Sequence, residues 1–162
     1  MKGIPDHSSL VIPRLVCRDP AAELDFCVRT FGATVLNQRP GPDGKLAHAL
    51  LTIGPEGRAQ VQASMLMIEA VWPPLLSPAP ALDAGSPVVI FVYVEDVDRT
   101  VERAVAGGAE VIEPAQDQFW GDRTAWIKDP SGHVWTVASR IEQTTPEERT
   151  ERWDRILRDT EA

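Results

Sequence analysis

Cysteine and histidine are scarce in this sequence, which has two cysteines and three histidines among 162 residues. Cys17 and Cys27 show the spacing of neither a metal site nor a disulfide framework, so we expect both to be reduced residues of the core. The histidines, His7, His48 and His133, are far apart in the chain. No arrangement typical of a Ser-His-Asp or Cys-His nucleophile accompanies them, so that class of catalysis has no support in the sequence.

Long apolar runs and basic clusters are also missing. No stretch approaches the ~18 apolar residues that span a membrane, and the first residues lack the apolar segment of a secretory signal. We therefore expect a cytoplasmic protein. Acidic residues outnumber basic ones by 24 to 16, and the formal charge of −8 repels nucleic acid and anionic membranes. Neither nucleic acid nor a membrane is an expected partner.

The order strand, helix and three strands is predicted twice along the chain. In the first module, residues 9–70, strands at 10–17, 33–39, 45–53 and 59–69 surround an amphipathic helix that Asp19 caps and Gly32 ends. In the second module, residues 88–140, strands at 88–94, 109–113, 118–128 and 133–138 surround a helix that Asp96 caps. Each module is too small to close a core alone, so we expect the two sheets to lie side by side.

The clearest turn is Asp-Pro-Ser-Gly at residues 129–132, between the last two strands. Proline presets φ and glycine tolerates positive φ, so this segment predicts a hairpin turn. Alternation along the last strand puts Trp135 and Val137 on one face and Val134, Thr136 and Ala138 on the other. We expect His133 to be a turn residue whose polar atoms are satisfied by the backbone.

Three segments lie outside the modules. Residues 1–8 form an N-terminal arm, and residues 71–87, with five prolines, form a linker. Residues 141–162 form a tail in which Thr145 and Glu148 make a capping box. Its helix carries a short apolar stripe, which we expect to dock on the sheet or on a partner subunit; the stripe consists of Trp153, Ile156 and Leu157.

A family resemblance rests on four motifs in a fixed order. They are LVCRDPAAELDFCVRTFGA from residue 15, PDGKLAHALL from residue 42, VYVEDVDRTVERAVAGGAEV from residue 92, and QFWGDR followed by DPSGHVW from residue 118. Over residues 10–138 the chain resembles the glyoxalase/bleomycin-resistance superfamily, also called the vicinal oxygen chelate fold. The resemblance implies an α+β protein of two tandem βαβββ modules, whose curved mixed sheets form a cup-shaped pocket, with a C-terminal helix added.

Many members of that superfamily hold a divalent metal with His or Glu side chains from the first and last strands of each module. The matching positions here carry Ile12, Val89 and Thr136, none of which is a metal ligand. The fourth position is Met67 in our preferred alignment, and Glu69 is the acid on that face. One glutamate without a nearby histidine does not make a metal site, so we expect no metal and no other cofactor.

Strand alternation predicts which side chains line the cup. An apolar and aromatic lining with a few polar groups is typical of a small-molecule pocket. The predicted ligand-binding residues are Arg14, Met65, Met67, Glu69, Phe91, Tyr93, Trp120 and Thr136. In the alternative, these side chains only fill the cup, and Arg14 and Glu69 form a buried ion pair.

Three functions remain open from the sequence. The first is a metal-independent protein that binds a small, planar or aromatic molecule as a homodimer, similar to the bleomycin-resistance branch, where a drug is sequestered and antibiotic resistance results. The second is an enzyme of the same fold, of lyase, isomerase or dioxygenase type, with or without a divalent metal. Its candidate acids and bases are Glu69, His48 and Tyr93, although the sequence does not fix the face of His48. The third is a protein that keeps the fold and no site.

Overall fold

The computed structural model describes residues 8–54, 63–71 and 78–160. The first module contains β1 (Arg14–Cys17), α1 (Pro20–Phe31), β2 (Thr34–Pro40), β3 (Leu46–Ile53) and β4 (Ser64–Ala70). The second contains β5 (Val89–Tyr93), α2 (Val97–Ala106), β6 (Glu110–Asp117), β7 (Asp122–Lys128) and β8 (Val134–Arg140), and α3 (Pro146–Thr160) follows. The predicted α+β architecture of two βαβββ modules and a C-terminal helix is confirmed.

Each module folds into one mixed sheet of four strands. The strand orders are β1-β4-β3-β2 and β5-β8-β7-β6, and in both sheets the first and fourth strands are parallel while the other pairs are antiparallel. Within the described residues no strand of one sheet pairs with a strand of the other. The two sheets, which we expected to lie side by side, are therefore not joined by hydrogen bonds between their strands. The modules pack together through their helices instead.

The predicted helix boundaries are confirmed by their caps. Asp19 Oδ1 accepts hydrogen bonds from the backbone N–H groups of Ala21 and Ala22, both at 3.1 Å, and Gly32 ends α1 with φ of 66°. Asp96 Oδ1 accepts from the backbone N–H of Arg99 at 3.0 Å to begin α2. These side chains satisfy amide groups that the first helical turn leaves without partners, which fixes where each helix starts.

The hairpin turn before β8 is also confirmed. The backbone N–H of Gly132 donates to the carbonyl of Asp129 at 3.0 Å, and the N–H of Asp129 donates to the carbonyl of His133 at 2.9 Å. In the register that this turn sets, Trp135 pairs with Ile90 and Ile127. All three side chains lie on the helix side of the sheet, as the alternation along β8 predicts.

The two modules share one hydrophobic core between their sheets. Helix α1 packs on α2, and Gly107 lies so close to α1 that a Cβ added there would stand 3.2 Å from a ring carbon of Phe26. The rings of Phe31 and Trp135, one from each module, have centroids 4.7 Å apart. The core therefore occupies the helix side of both sheets, and the opposite side of each sheet is left as a cup face.

We define the two cup faces by the residues that the strand registers align. The first cup face, on the first sheet, contains Arg14, His48, Leu50, Met65, Met67 and Glu69. The second cup face, on the second sheet, contains Val89, Phe91, Tyr93, Trp126, Thr136 and Arg140. The register settles the question that the sequence left open, because His48 pairs with Glu69 and shares its face.

Several strand ends differ from the prediction for local backbone reasons. Strand β1 begins at Arg14 rather than at residue 10, directly after Pro13, whose nitrogen cannot donate to a ladder. Strand β7 begins at Asp122 rather than at residue 118, because Gly121, with φ of 91°, closes a turn by donating to the carbonyl of Gln118. Strand β6 runs on to Asp117 beyond the predicted end at residue 113, paired along β7.

Some predicted features lie outside the described residues. They are His7 in the N-terminal arm, positions 59–62 of the fourth predicted strand, and positions 72–77 of the proline-rich segment. Positions 78–87 of that segment contain no helix or strand.

The tail helix docks on the loop that precedes β7. Its predicted capping box is confirmed, since the N–H of Thr145 donates to Glu148 Oε2 at 2.8 Å and the N–H of Glu148 donates to Thr145 Oγ1 at 3.2 Å. Trp153 stacks on Phe119 with ring centroids 5.2 Å apart, while the rest of the apolar stripe stays exposed. No helix in the described ranges has the length and apolar character needed to cross a membrane.

Replacing Gly121 with alanine tests the turn that starts β7. A Cβ at this position would lie 2.5 Å from the backbone carbonyl oxygen of Glu142, in addition to requiring positive φ. Gly44 is the matched control, because its φ of 77° is similar and nothing lies within 4 Å. We expect Gly44→Ala to lower the free energy of unfolding by about 1–2 kcal/mol and Gly121→Ala to cost about 1–3 kcal/mol more, measured by urea unfolding. Equal losses would show that the segment after β8 yields freely to the added methyl group.

Candidate functional site

Glu69 is the centre of a polar cluster on the first cup face. Its Oε2 lies 3.4 Å from Arg14 Nη1, and its Oε1 lies 3.3 Å from His48 Nδ1. The three side chains come from β1, β3 and β4, which are neighbours in the sheet. The side chain of Arg14 is 47% exposed and that of Glu69 is 21% exposed. The ion pair named in the alternative interpretation therefore exists, but it is open to solvent rather than buried.

The contact with Glu69 also defines the orientation of His48. A carboxylate beside Nδ1 favours the tautomer that carries its proton on Nδ1. Nε2 then bears a lone pair, and within the described ranges it has no hydrogen-bond partner. This arrangement can accept a proton or a hydrogen bond from a bound molecule. Met65 and Met67 extend the same face along β4 with polarizable, half-buried side chains.

The second cup face is aromatic. The rings of Phe91 and Tyr93 lie along β5 with centroids 5.2 Å apart, and these residues are 50% and 56% exposed. Thr136, at the centre of the neighbouring strand, is buried beneath them and pairs with both Phe91 and Trp126. The two rings are inclined at 58° to each other, so a planar molecule can stack on the face of one ring and meet the other at an angle.

A buried carboxylate holds the rim of the second cup face. Asp122 is 1% exposed, and its Oδ2 accepts hydrogen bonds from the Tyr93 hydroxyl and from Trp120 Nε1, both at 2.9 Å. Its Oδ1 meets Arg140 Nε at 2.7 Å as an ion pair. A buried charge needs such compensation. Tyr93 donates its proton to Asp122, and its phenolic oxygen accepts a long hydrogen bond from Arg140 Nη2 at 3.5 Å, which leaves one lone pair that a ligand could use.

The predicted site residues fall into two groups in the chain. Arg14, Met65, Met67, Glu69 and the candidate base His48 lie on the first cup face, and Phe91, Tyr93 and Thr136 lie on the second, with Trp120 at its rim. Among the described residues, no hydrogen bond, ion pair or ring contact links one group to the other. Each group is brought together by its own sheet, and the shared core lies behind both.

Asp122 and Arg140 were missed by the sequence analysis. Arg140 lies beyond the predicted end of the last strand at residue 138, so it was not placed on a face. Had the strand been extended by two residues, alternation would have put Arg140 beside Ala138 on the second cup face. Asp122 stands within the QFWGDR motif, in the predicted strand at 118–128, and no pattern along that strand marks it as a site residue.

The polar residues of the cup faces do not fit a divalent metal. In the part of the chain that the structure describes, no three His, Cys, Asp or Glu side chains are grouped so that they could hold one. His48 and Glu69 supply two donors, but their neighbour Arg14 carries a positive charge and is no metal ligand. The positions that matched metal ligands of the superfamily hold Ile12, Met67, Val89 and Thr136.

His133 and the two cysteines lie in the interior between the modules. His133 Nε2 is 3.2 Å from the carbonyl oxygen of Val16, as expected of a residue satisfied by backbone, and 3.7 Å from Cys17 Sγ. Burial lowers the pKa of His133 and raises that of the Cys17 thiol. Both cysteines are free and buried, which confirms the prediction that they are reduced core residues.

Comparison with known proteins agrees with this architecture. An uncharacterised protein of Mycobacterium bovis, Mb0911c, is 36% identical over 139 residues, covering 84% of this chain and 86% of that protein. Among solved structures, TioX from Micromonospora sp. ML1 aligns with a TM-score of 0.58 at 28% identity, covering 82% of this chain and 99% of TioX. The fosfomycin resistance protein FosX from Listeria monocytogenes, in a complex with Mn(II) and sulfate, aligns with a TM-score of 0.59 at 18% identity. That alignment covers 88% of this chain and 98% of FosX.

The sequence model of the Glyoxalase/Bleomycin resistance protein/Dioxygenase superfamily matches residues 7–137, which include the first module and all but the last three residues of the second. Because the match spans most of the chain and the fold has the same two modules, the protein is a member of the glyoxalase/bleomycin resistance protein/dioxygenase superfamily.

Proposed function

We propose that this protein binds a small, planar organic molecule on its cup faces without a metal, and that it acts by sequestering that molecule. The observation that carries the proposal is the exposed aromatic pair of Phe91 and Tyr93, held at a defined angle by the contact between Tyr93 and Asp122. Two large aromatic side chains left half exposed on one strand have unsatisfied apolar surface, which a stacked ligand would cover.

The polar groups define what else the ligand needs. On the first cup face, Arg14 and His48 surround Glu69, so the cluster can take up a carboxylate or carbonyl near Arg14 and a hydroxyl or amine near Glu69. On the second cup face, the Tyr93 oxygen is an acceptor for an N–H or O–H group. A planar heteroaromatic molecule that carries an acid and an amine satisfies both sets of groups.

A homodimer is part of the proposal, because each chain leaves two cup faces open. The first cup face is polar and the second cup face is aromatic. A dimer in which the first cup face of one copy lies against the second cup face of the other copy would form a closed pocket. This arrangement would also cover Val89 and Trp126, which are exposed in the single chain.

The support for a resistance role is the likeness in fold to a known resistance protein. The Listeria monocytogenes relative in fold is a fosfomycin resistance protein whose structure contains Mn(II). Among the described residues of this chain, no three His, Cys, Asp or Glu side chains are grouped so that they could hold a metal ion. We therefore propose drug or metabolite sequestration without a metal, rather than metal-dependent modification of a drug.

An enzyme is the second candidate, and the contact between His48 and Glu69 favours it. A carboxylate that orients a partly exposed imidazole makes His48 a competent general base, with Tyr93 from a second copy available as a hydrogen-bonding group. Such an enzyme would be a lyase or isomerase that moves a proton, and it would need no metal for that step.

Metal content separates these proposals from the metal-dependent members of the superfamily. We expect the purified protein, analysed by plasma mass spectrometry after dialysis against Mn²⁺ or Zn²⁺, to hold far less than one equivalent, because two donors beside an arginine bind a divalent ion weakly. A stoichiometric metal that is lost in both His48→Asn and Glu69→Gln would overturn metal independence.

Ligand binding tests the aromatic surface. In a thermal-shift screen we expect amino-substituted quinoline carboxylic acids to bind better than aliphatic diols or glutathione conjugates of similar size. For the best compound, Tyr93→Ala should weaken binding by about 1–3 kcal/mol through loss of an aromatic contact, measured by calorimetry. Tyr93→Phe is the matched control, because it keeps the ring and removes only the hydroxyl, and it should lose less. Unchanged affinity in both Phe91→Ala and Tyr93→Ala would place the site elsewhere.

The association state tests the proposed pairing of cup faces. We expect a dimer by light scattering at micromolar concentrations, and we expect Phe91→Asp to shift it toward monomer because a charge would be buried in the interface. Val105→Asp is the control, since Val105 on α2 is exposed to 49% against 50% for Phe91. A monomeric wild-type protein, or equal effects of the two substitutions, would contradict the pairing.

A further inference from the structure

The loop before β7, residues 118–121, lies between the tail helix and the second cup face. On its cup side, Trp120 Nε1 donates to Asp122 Oδ2 at 2.9 Å, the same oxygen that accepts from the Tyr93 hydroxyl at 2.9 Å. A buried carboxylate is stable only while such donors surround it. The position of the loop therefore affects the donors of Asp122 and, through them, the direction of the Tyr93 hydroxyl.

The segment after β8 holds the inner side of this loop. The backbone N–H groups of Ile141 and Glu142 both donate to the carbonyl of Gly121 at 3.0 Å. Thr144 Oγ1 donates to the carbonyl of Trp120 at 2.9 Å. These bonds fix the end of the loop that joins β7.

The tail helix holds the middle of the loop from outside. Arg152 donates to both carboxylate oxygens of Glu142 at 2.7 Å, and its Nη1 also donates to the carbonyl of Phe119 at 3.1 Å. Trp153 stacks on the Phe119 ring, which meets the indole of Trp120 edge to face with centroids 5.0 Å apart. A guanidinium that binds a carboxylate through two nitrogens fixes geometry as well as charge. Arg152 therefore ties the tail helix to the loop and to the segment after β8.

Stability alone does not account for this arrangement. No residue of α3 is buried, so the helix adds little to the core. The side chains of Arg152 and Glu142 are 33% and 50% exposed, and ion pairs of that kind contribute little to the free energy of unfolding. Within the described residues, every hydrogen bond, ion pair and ring contact from α3 to the chain before its own cap goes to Phe119 or Glu142. The helix is therefore placed to act on this loop.

We propose that Arg152 is a positioning residue for the second cup face and that it fixes the direction of the Tyr93 hydroxyl. The effect passes from Arg152 to the loop, from Trp120 of the loop to Asp122, and from Asp122 to Tyr93; we call this chain of contacts the relay. The inference rests on the proposed function in that Tyr93 contacts the ligand. A ligand that meets a hydroxyl already fixed loses less affinity to the ordering of the protein, so Arg152 raises affinity without touching the ligand.

Fluorine NMR of Tyr93 tests the relay without any ligand. Tyr93 is the single tyrosine of the chain, so protein grown with meta-fluorotyrosine gives its fluorine signal from this residue alone. We expect Arg152→Met to shift or broaden that signal, because the loop then holds Trp120 less firmly and the hydroxyl gains a second direction. Arg155→Met, at an exposed position of the same helix, is the matched control and should leave the wild-type signal unchanged. A wild-type signal in Arg152→Met contradicts the proposal.

Trp120→Phe tests the middle step of the relay. It keeps an aromatic ring beside Phe119 and removes the N–H group that Asp122 accepts, so we expect it to move the Tyr93 signal as well. An unaltered signal in Trp120→Phe would show that Asp122 does not transmit the effect, and the relay would be wrong. If Arg152→Met does not fold, Trp153→Leu takes its place, because it removes the ring that the helix stacks on the loop, and the same outcomes apply.

Ligand affinity shows whether the relay matters for binding. For an amino-substituted quinoline carboxylic acid that binds in the thermal-shift screen, we expect Arg152→Met to raise the dissociation constant about three- to tenfold, measured by calorimetry. In a Tyr93→Phe background the same substitution should change it by less than about twofold, because the hydroxyl through which Arg152 acts is already gone. Equal losses in the two backgrounds would refute the relay, since a purely structural role of Arg152 would not depend on that hydroxyl.

The two measurements separate a failure of the relay from a failure of the proposed function. If none of the quinoline acids binds, the proposed function fails, and the fluorine signal still decides whether Arg152 acts on Tyr93. If a compound binds but neither its affinity nor the signal of Tyr93 responds to Arg152→Met, the relay fails and the binding site stands.

Discussion

The set of hydrogen bonds around Asp129 is the constraint on which the rest of the structure depends. Its carboxylate closes the turn before β8 and holds the indole of Trp135, which is the largest fully buried side chain among the described residues. Trp135 in turn stacks on Phe31 of the other module. Burial of an aromatic side chain of this size contributes about 2–3 kcal/mol. One acid thus fixes a hairpin, orients a core residue and joins the two halves of the molecule.

Joining the modules through their helices decides where ligands can be bound. Because the helix side of both sheets is used for the shared core, polar and aromatic groups on the opposite sides remain free for other contacts. The first cup face concentrates charge around Glu69, and the second concentrates aromatic surface around Phe91 and Tyr93. This separation explains why the predicted binding residues form two groups within one chain. It is also the reason for proposing that a second copy of the chain brings the two cup faces together.

Three acids in this fold occupy environments of different polarity, and their roles differ accordingly. Glu69 is partly exposed between a cation and an imidazole, where its charge remains available to a ligand. Asp122 is buried but paired with Arg140 and two neutral donors, so it serves to hold Tyr93 and Trp120 in place. Glu23 is buried without a cation, and its proton becomes part of the structure. Sequence position alone does not distinguish these three situations.

The sequence by itself determined the modules, the caps at Asp19 and Asp96, the hairpin before β8 and the facing of Trp135, because each depends on local propensity or on strand alternation. It also placed Arg14, Glu69, Phe91 and Tyr93 on the cup sides of their strands. Only the tertiary structure decided the facing of His48, since bulges between β2 and β3 make the turn an unreliable guide to register there. The pairing of Asp122 with Arg140 was likewise set by packing, because it joins residues from different strands whose distance no local pattern encodes.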